Sequence, residues 1–137
     1  MVQITIAYQG GLRCEATHGP SKSRLFTDAP LDNQGKGEAF SPTDLVATAL
    51  GTCILTTMGI VAARHGWSME GATASVVKEM VADPVRRIGR LRVVLDLPTP
   101  LEAKARDALE RAAHTCPVHK SLAESVEMPV EFRWGRA

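Results

Sequence analysis

The first thing that this 137-residue sequence lacks is an excess of charge of either sign. The chain has 16 Lys and Arg residues and 15 Asp and Glu residues, so its formal net charge is +1. Composition therefore gives no electrostatic reason to expect a nucleic acid or a membrane surface as a partner. No basic, apolar leader is visible, because Met1 runs directly into strand-like sequence. From this we expect a cytoplasmic protein.

Cysteine is scarce as well. The three cysteines, Cys14, Cys53 and Cys116, are odd in number and too few for the disulfide framework of a secreted protein. The chain also lacks a glycine-rich phosphate loop, a Ser/His/Asp arrangement and a paired-carboxylate pattern. We therefore expect no cofactor, and the cysteine thiols are the candidates for any catalytic role.

The longest feature present is an uncharged run over residues 45–63. A helix start signal precedes it, formed by Ser41, Pro42 and Asp44. The Ser41 hydroxyl can cap free amides of the first turn, and the Asp44 carboxylate, three residues later, can accept from the backbone of Ser41 in return. Gly66 follows it and favours the left-handed turn that ends helices. The pattern predicts one long helix with Cys53 near its middle.

This run is almost long enough to cross a bilayer, since about 20 apolar residues suffice. We favour the central helix of a globular protein, because several threonines and two glycines interrupt the run. Gly51 and Gly59 lie close to one stripe of that helix, where we expect that another backbone could approach.

The remaining elements follow from periodicity. Alternation at residues 2–8 and 12–16 around Gly10-Gly11 predicts a hairpin, and the composition of residues 28–40 indicates a loop. Further strands are predicted at residues 23–27, 72–81, 91–97 and 126–134, a second helix after Thr99-Pro100, and a helical turn at 118–124. The order β-β-β-α-β-β-α-β in one domain, residues 1–137, describes an α+β fold with two main helices on an antiparallel sheet.

Two cysteines stand at informative places. Cys116 precedes Pro117, so it is expected at a helix N-cap, where amides and dipole lower the pKa of a thiol from about 8.5. Cys53 lies mid-helix and needs a cation from elsewhere if it is to react as a thiolate. A simpler interpretation makes both small buried hydrophobes.

A metal site is the other interpretation of these residues. Cys116 and His119 are three apart, His114 is near them in sequence, and Cys53 could complete a set. Because no Cys-x-x-Cys pair is present, we expect no metal.

Two segments resemble the OsmC/Ohr family of small thiol-dependent hydroperoxide reductases. They are FSPTDLVATALGTC at residues 40–53 and CPVHKSL at residues 116–122; TDAPLDNQGKG at 27–37 and the later layout agree, so the resemblance covers essentially the whole chain. It implies the family's OsmC-like fold as an intertwined homodimer. In that dimer two long central helices lie back to back, with two active sites at the subunit interface.

The resemblance also implies roles for individual residues. Cys53 takes the peroxidatic position and Cys116 the resolving one, so that a Cys53 sulfenic acid becomes a Cys53–Cys116 disulfide. The arginine that pairs with the thiolate follows the first hairpin turn in this family. Arg13 fits that place, and Arg24 is the alternative.

The chain departs from the family at the helix start. Members close to the organic hydroperoxide enzymes carry a glutamate directly after the helix-start proline, where this chain has Thr43. Glu38 or Asp44 could supply the carboxylate that orients the arginine instead.

The resulting expectation is a thiol peroxidase that reduces organic hydroperoxides and is recycled by an external thiol reductant. Two alternatives stay open: a non-enzymatic dimeric module that binds a small apolar ligand, and a slow redox sensor with the same cysteines. The sequence names neither the physiological peroxide nor the reductant.

Overall fold

A computed structural model describes residues 1–136 of the chain. Its elements follow the predicted order and α+β class. They are β1 (Ile4–Gly10), β2 (Arg13–His18), β3 (Arg24–Thr27), α1 (Pro42–His65), β4 (Thr73–Val81), β5 (Arg87–Leu97), α2 (Ala103–Ala113), α3 (Pro117–Ser121) and β6 (Val130–Trp134). Helix α3 lies where a helical turn is predicted at 118–124, and one short 3-10 helix, Leu31–Asn33, is additional. The chain divides into two compact units, Met1–Val46 and the residues from Ala47 onward, and the boundary falls inside α1.

The first unit contains an antiparallel sheet in the order β1-β2-β3. Its first turn is the predicted hairpin, and Gly10 and Gly11 there have φ of 84° and 61°, values that glycine adopts without strain. Register places Ile4, Ile6 and Tyr8 on one face of β1, where all three are exposed. This apolar face of β1 is unusual for a strand in contact with water alone.

The loop that leaves β3 is ordered around its first residue, Asp28. The backbone N–H of Asp28 donates to the Phe40 carbonyl at 3.0 Å, and the N–H of Glu38 donates to Asp28 Oδ2 at 3.0 Å. Inside the loop a Cβ on Gly35 would overlap the carbonyl oxygen of Ala29. Glycine is therefore required at position 35 for the loop to close on itself.

Helix α1 begins and ends as predicted. The N–H of Asp44 donates to Ser41 Oγ at 3.1 Å, and the N–H of Ser41 donates to Asp44 Oδ2 at 2.9 Å. A cap of this kind stabilises a protein by about 1 kcal/mol. At the other end Gly66 has a φ of 69°, and the N–H of Trp67 donates to the Ala62 carbonyl at 2.9 Å. This bond satisfies a carbonyl that the helix leaves unpaired.

The second unit holds a sheet in the order β4-β5-β6. Leu91, Val93 and Leu95 of β5 are completely buried, whereas the alternating Arg92 and Asp96 are exposed, as the period-2 pattern predicts. Strand β6 pairs with β5 in parallel, which differs from the antiparallel sheet expected from the sequence. The connection from β5 to β6 passes through α2 and α3, and such a crossover allows the chain to return in the same direction.

One stripe of α1 belongs to the core of this second unit. Leu50, Ile54 and Met58 are completely buried, and a Cβ on Gly51 would lie 3.0 Å from Val76 Cγ2 of β4. The space beside Gly51 is therefore occupied by side chains of the sheet and not by another backbone. A Cβ on Gly59 would meet nothing within 4 Å, so the two glycines do not form the single close-approach stripe that we expected.

By length and composition alone, α1 is also the kind of helix that can cross a membrane. Its buried stripe, which includes Ala47 and Ala62, is equally typical of the core helix of a globular protein. The contact between Gly51 and β4 favours the latter interpretation.

Candidate active site

Cys116 lies where α2 has ended and α3 begins. Its backbone is extended, Pro117 occupies the first helical position, and the N–H of His119 donates to Cys116 Sγ at 3.3 Å. The thiol thus caps α3, as the Cys-Pro pair predicts. The residue is completely buried.

Burial reverses the expected effect of this cap on the thiol. Removal of the sulfur from water is the largest influence and raises the pKa of Cys116, because the thiolate loses its hydration. The amides of His119 and Val118 act in the opposite direction but are outweighed, and the Cys53 side chain raises the pKa further. The lowering that we expected from the helix terminus is therefore wrong: Cys116 is stabilised as a neutral thiol.

The structure brings the two candidate redox thiols together. Cys53 is half-buried in the middle of α1, and its side chain lies close enough to the Cys116 thiol to raise the pKa of that thiol. Both cysteines are free thiols, so the arrangement is that of a reduced pair. Cys14 lies in the first unit, on β2 between Tyr8 and Thr27 of the neighbouring strands.

Two histidines and an aromatic ring surround the turn that carries Cys116. The His114 ring lies 6.1 Å, centre to centre, from the rings of His119 and Phe132, edge-on to each. Burial lowers the pKa of His119, and the nearby His114 and Lys120 lower it further, which favours the neutral imidazole. Sequence reasoning considered the histidines only as metal ligands and missed this cluster; the aromatic partner is far away in sequence.

These residues do not assemble into a metal centre. Among residues 1–136, no three or more His, Cys, Asp or Glu side chains are grouped so that they could hold an ion.

The first unit contains a charged pair of its own. Arg13 Nη1 lies 3.2 Å from Glu38 Oε2, and both side chains are partly exposed. An open pocket of about 410 Å³ adjoins the arginine and is lined by Gln9, Gly10, Arg13 and Phe26. An exposed ion pair of this kind contributes little to the stability of the fold. It does orient the Arg13 guanidinium towards Glu38.

The other arginine and the other acid that sequence analysis proposed are engaged differently. Arg24 forms an ion pair with Glu15 on the neighbouring strand. The Asp44 carboxylate caps the N–H of Ser41, and Thr43 Oγ1 lies 3.2 Å from Ser41 Oγ. Of the two acids proposed as substitutes for the family glutamate, it is Glu38 that contacts Arg13.

Comparison with known proteins now identifies the family. The family model described as OsmC-like protein matches residues 35–131. The chain belongs to the OsmC family. The match includes Cys53, Cys116 and Glu38, whereas Arg13 lies before its first residue.

Solved structures agree with this assignment. The chain is 43% identical to a Psychrobacter arcticus protein, provisionally described as an osmotic stress induced and detoxification response protein; the TM-score is 0.91 and the alignment covers 96% of each chain. An organic hydroperoxide resistance protein OsmC of Legionella pneumophila is 18% identical, with a TM-score of 0.79 and coverage of 97% of this chain and 96% of that one. OhrB of Bacillus subtilis is 19% identical, with a TM-score of 0.72 and coverage of 97% and 98%. The last two likenesses concern the fold alone, and no curated protein sequence matches the chain.

The pKa of Cys116 can be tested in an OsmC protein that retains only this thiol, the Cys14→Ser, Cys53→Ser variant. We expect the ultraviolet absorbance of its thiolate to rise with pH around a midpoint above about 8.5, the ordinary value for a thiol. Burial is the largest cause of the raised pKa and persists without Cys53. The same variant unfolded in urea provides the reference. A folded midpoint below the unfolded one would mean that the α3 amides dominate after all.

Proposed function

We propose that this protein is a thiol peroxidase that reduces organic hydroperoxides. The observation that carries the proposal is the neighbouring pair of free thiols, Cys53 and Cys116, on an OsmC fold. Two structurally similar proteins, from Legionella pneumophila and Bacillus subtilis, are named for organic hydroperoxide resistance. Those names support the substrate class.

The proposed reaction has three steps. The Cys53 thiolate attacks the peroxide, the O–O bond breaks, and the products are a Cys53 sulfenic acid and, after uptake of a proton, an alcohol. The Cys116 sulfur then attacks the sulfenic sulfur; its proton and the hydroxyl group leave as water, and a disulfide forms. An external dithiol reduces this disulfide by exchange and becomes oxidised itself.

The buried state of Cys116 supports this order of events. A thiol whose pKa is raised stays protonated at neutral pH, so it is a weak nucleophile towards the peroxide. Cys53 is then the thiol that reacts first, as its family position implies. Cys116 keeps its proton until the sulfenic acid appears beside it.

We assign the cation of the mechanism to Arg13 and the orienting carboxylate to Glu38. A guanidinium favours the charged form of a neighbouring thiol, and its planar fork allows it to bind sulfur and a carboxylate together. The 3.2 Å contact between the two side chains supports the assignment. Glu38 would thereby do the work of the family glutamate that Thr43 replaces.

The function is tested by adding cumene hydroperoxide, and hydrogen peroxide in parallel, to the reduced protein. With a dithiol present we expect catalytic loss of the organic peroxide; without it, one equivalent should convert the Cys53 and Cys116 peptides into a single disulfide-linked species. Cys14→Ser should behave like the unmodified protein. A disulfide through Cys14 would overturn the site. No peroxide loss would favour the ligand-binding module, and stoichiometric oxidation with slow turnover would favour the redox sensor.

The assignment of the cation predicts that Arg13→Ala slows the oxidation of Cys53 on the order of tenfold, because a neighbouring opposite charge shifts a pKa by about 1–3 units. Arg13→Lys should restore the rate only in part, since lysine lacks the planar fork. Stopped-flow measurement of sulfenic acid formation gives the rates. Arg24→Ala is the matched control on the same sheet, and a loss of rate there instead of in Arg13→Ala would transfer the role.

We also propose that the protein acts in the cytoplasm as an intertwined homodimer with α1 helices back to back. The exposed apolar side chains of β1 support a partner chain, and so does exposed Ile60 on α1. Because obligate dimers often lack a stable folded monomer, we expect the melting temperature to rise with protein concentration. Ile6→Glu should weaken assembly in light scattering. A folded monomer whose melting does not depend on concentration would contradict the dimer.

A further inference from the structure

Asp28 is a buried acid whose hydrogen bonding is incomplete. The residue is 1% exposed. Its Oδ2 accepts the N–H of Glu38 at 3.0 Å, while its Oδ1 is buried and has no hydrogen-bond partner within residues 1–136. Burying a carboxylate oxygen without a partner is costly. Such a group in a folded protein calls for an explanation.

The one bond that the carboxylate accepts leads directly to the Arg13–Glu38 pair. It holds the backbone of Glu38, and the side chain of Glu38 contacts Arg13 at 3.2 Å. Gly37, the residue just before Glu38, has a φ of 63° and donates its N–H to the Ala29 carbonyl at 3.2 Å. The backbone on the N-terminal side of Glu38 is thus fixed by residues at the start of the same loop.

We propose that Asp28 is a positioning residue for the active site, an inference that rests on the proposed function of Arg13. Glu38 lies in a loop. A carboxylate in a loop orients an arginine well only if the loop backbone is held in place, because ordering a mobile backbone costs conformational entropy. A carboxylate accepts an N–H bond more strongly than a neutral group does. Asp28 thus holds the backbone of Glu38 in place, as a helix would hold the backbone of a residue at its start.

The inference is tested by the reactivity of Cys53, measured as its rate of alkylation by iodoacetamide at neutral pH in a Cys14→Ser, Cys116→Ser background. Asp28→Ala should lower this rate severalfold. Asp28→Asn keeps an acceptor for the Glu38 N–H and should retain at least half of the rate. Leu31→Ala changes an exposed residue of the same loop and is the control that should leave the rate unchanged.

A second background separates positioning from a merely structural role. In Glu38→Gln, whose own rate should be lower, Asp28→Ala should cause little further loss, although it destabilises the protein to urea as before. An equal fold-loss in both backgrounds would overturn the inference, and so would an unchanged rate in Glu38→Gln alone. If Asp28→Ala does not fold, Asp28→Val, which is closer to aspartate in volume and also lacks an acceptor, replaces it. Peroxide turnover of the unmodified protein, measured separately, shows whether the proposed function itself fails.

Discussion

The chemistry proposed for this chain depends on the burial of the Cys116 sulfur beside that of Cys53. A helix N-cap normally favours a thiolate, and here the amides of α3 do act in that direction. Desolvation outweighs them, so the pKa of Cys116 rises. The two cysteines differ in burial, because Cys116 is completely buried whereas Cys53 is half-buried. In the proposed reaction this difference sets the order in which the two thiols act.

Local rules account for most of the fold and for little of the site. The cap at Ser41, the stop at Gly66 and the strand at Thr73–Val81 were predictable, because hydrogen-bonding capacity and side-chain period act over a few residues. The parallel direction of β6 was not, since it depends on the path of the whole α2–α3 crossover. The burial of Cys116 was not either: a Cys-Pro pair specifies a helix start but says nothing of what covers it.

The candidate arginines and carboxylates likewise divide into those whose partners local rules predict and those whose partners depend on the tertiary fold. Asp44 belongs to a capping box that the sequence displays, so its engagement with Ser41 could have removed it from the list of orienting acids. Arg24 and Glu15 lie on adjacent strands, and their pairing follows once the register is known. The partner of Arg13 lies 25 residues away in a loop. No local pattern identifies that pairing, because it depends on how the loop that begins at Asp28 folds back on itself.

In the proposed mechanism Glu38 takes the role that a glutamate at the helix start has in related enzymes, but it does so from a loop. A carboxylate in a helix has its backbone fixed by the helix itself, whereas one in a loop depends on tertiary tethers. In this chain those tethers are the Asp28 bond, the Gly37 bond and the close approach at Gly35. Loops open locally at lower free energy than helices packed in a core. The orientation of Arg13 is therefore coupled to the stability of one loop, and under the proposed mechanism the reactivity of Cys53 would be as well.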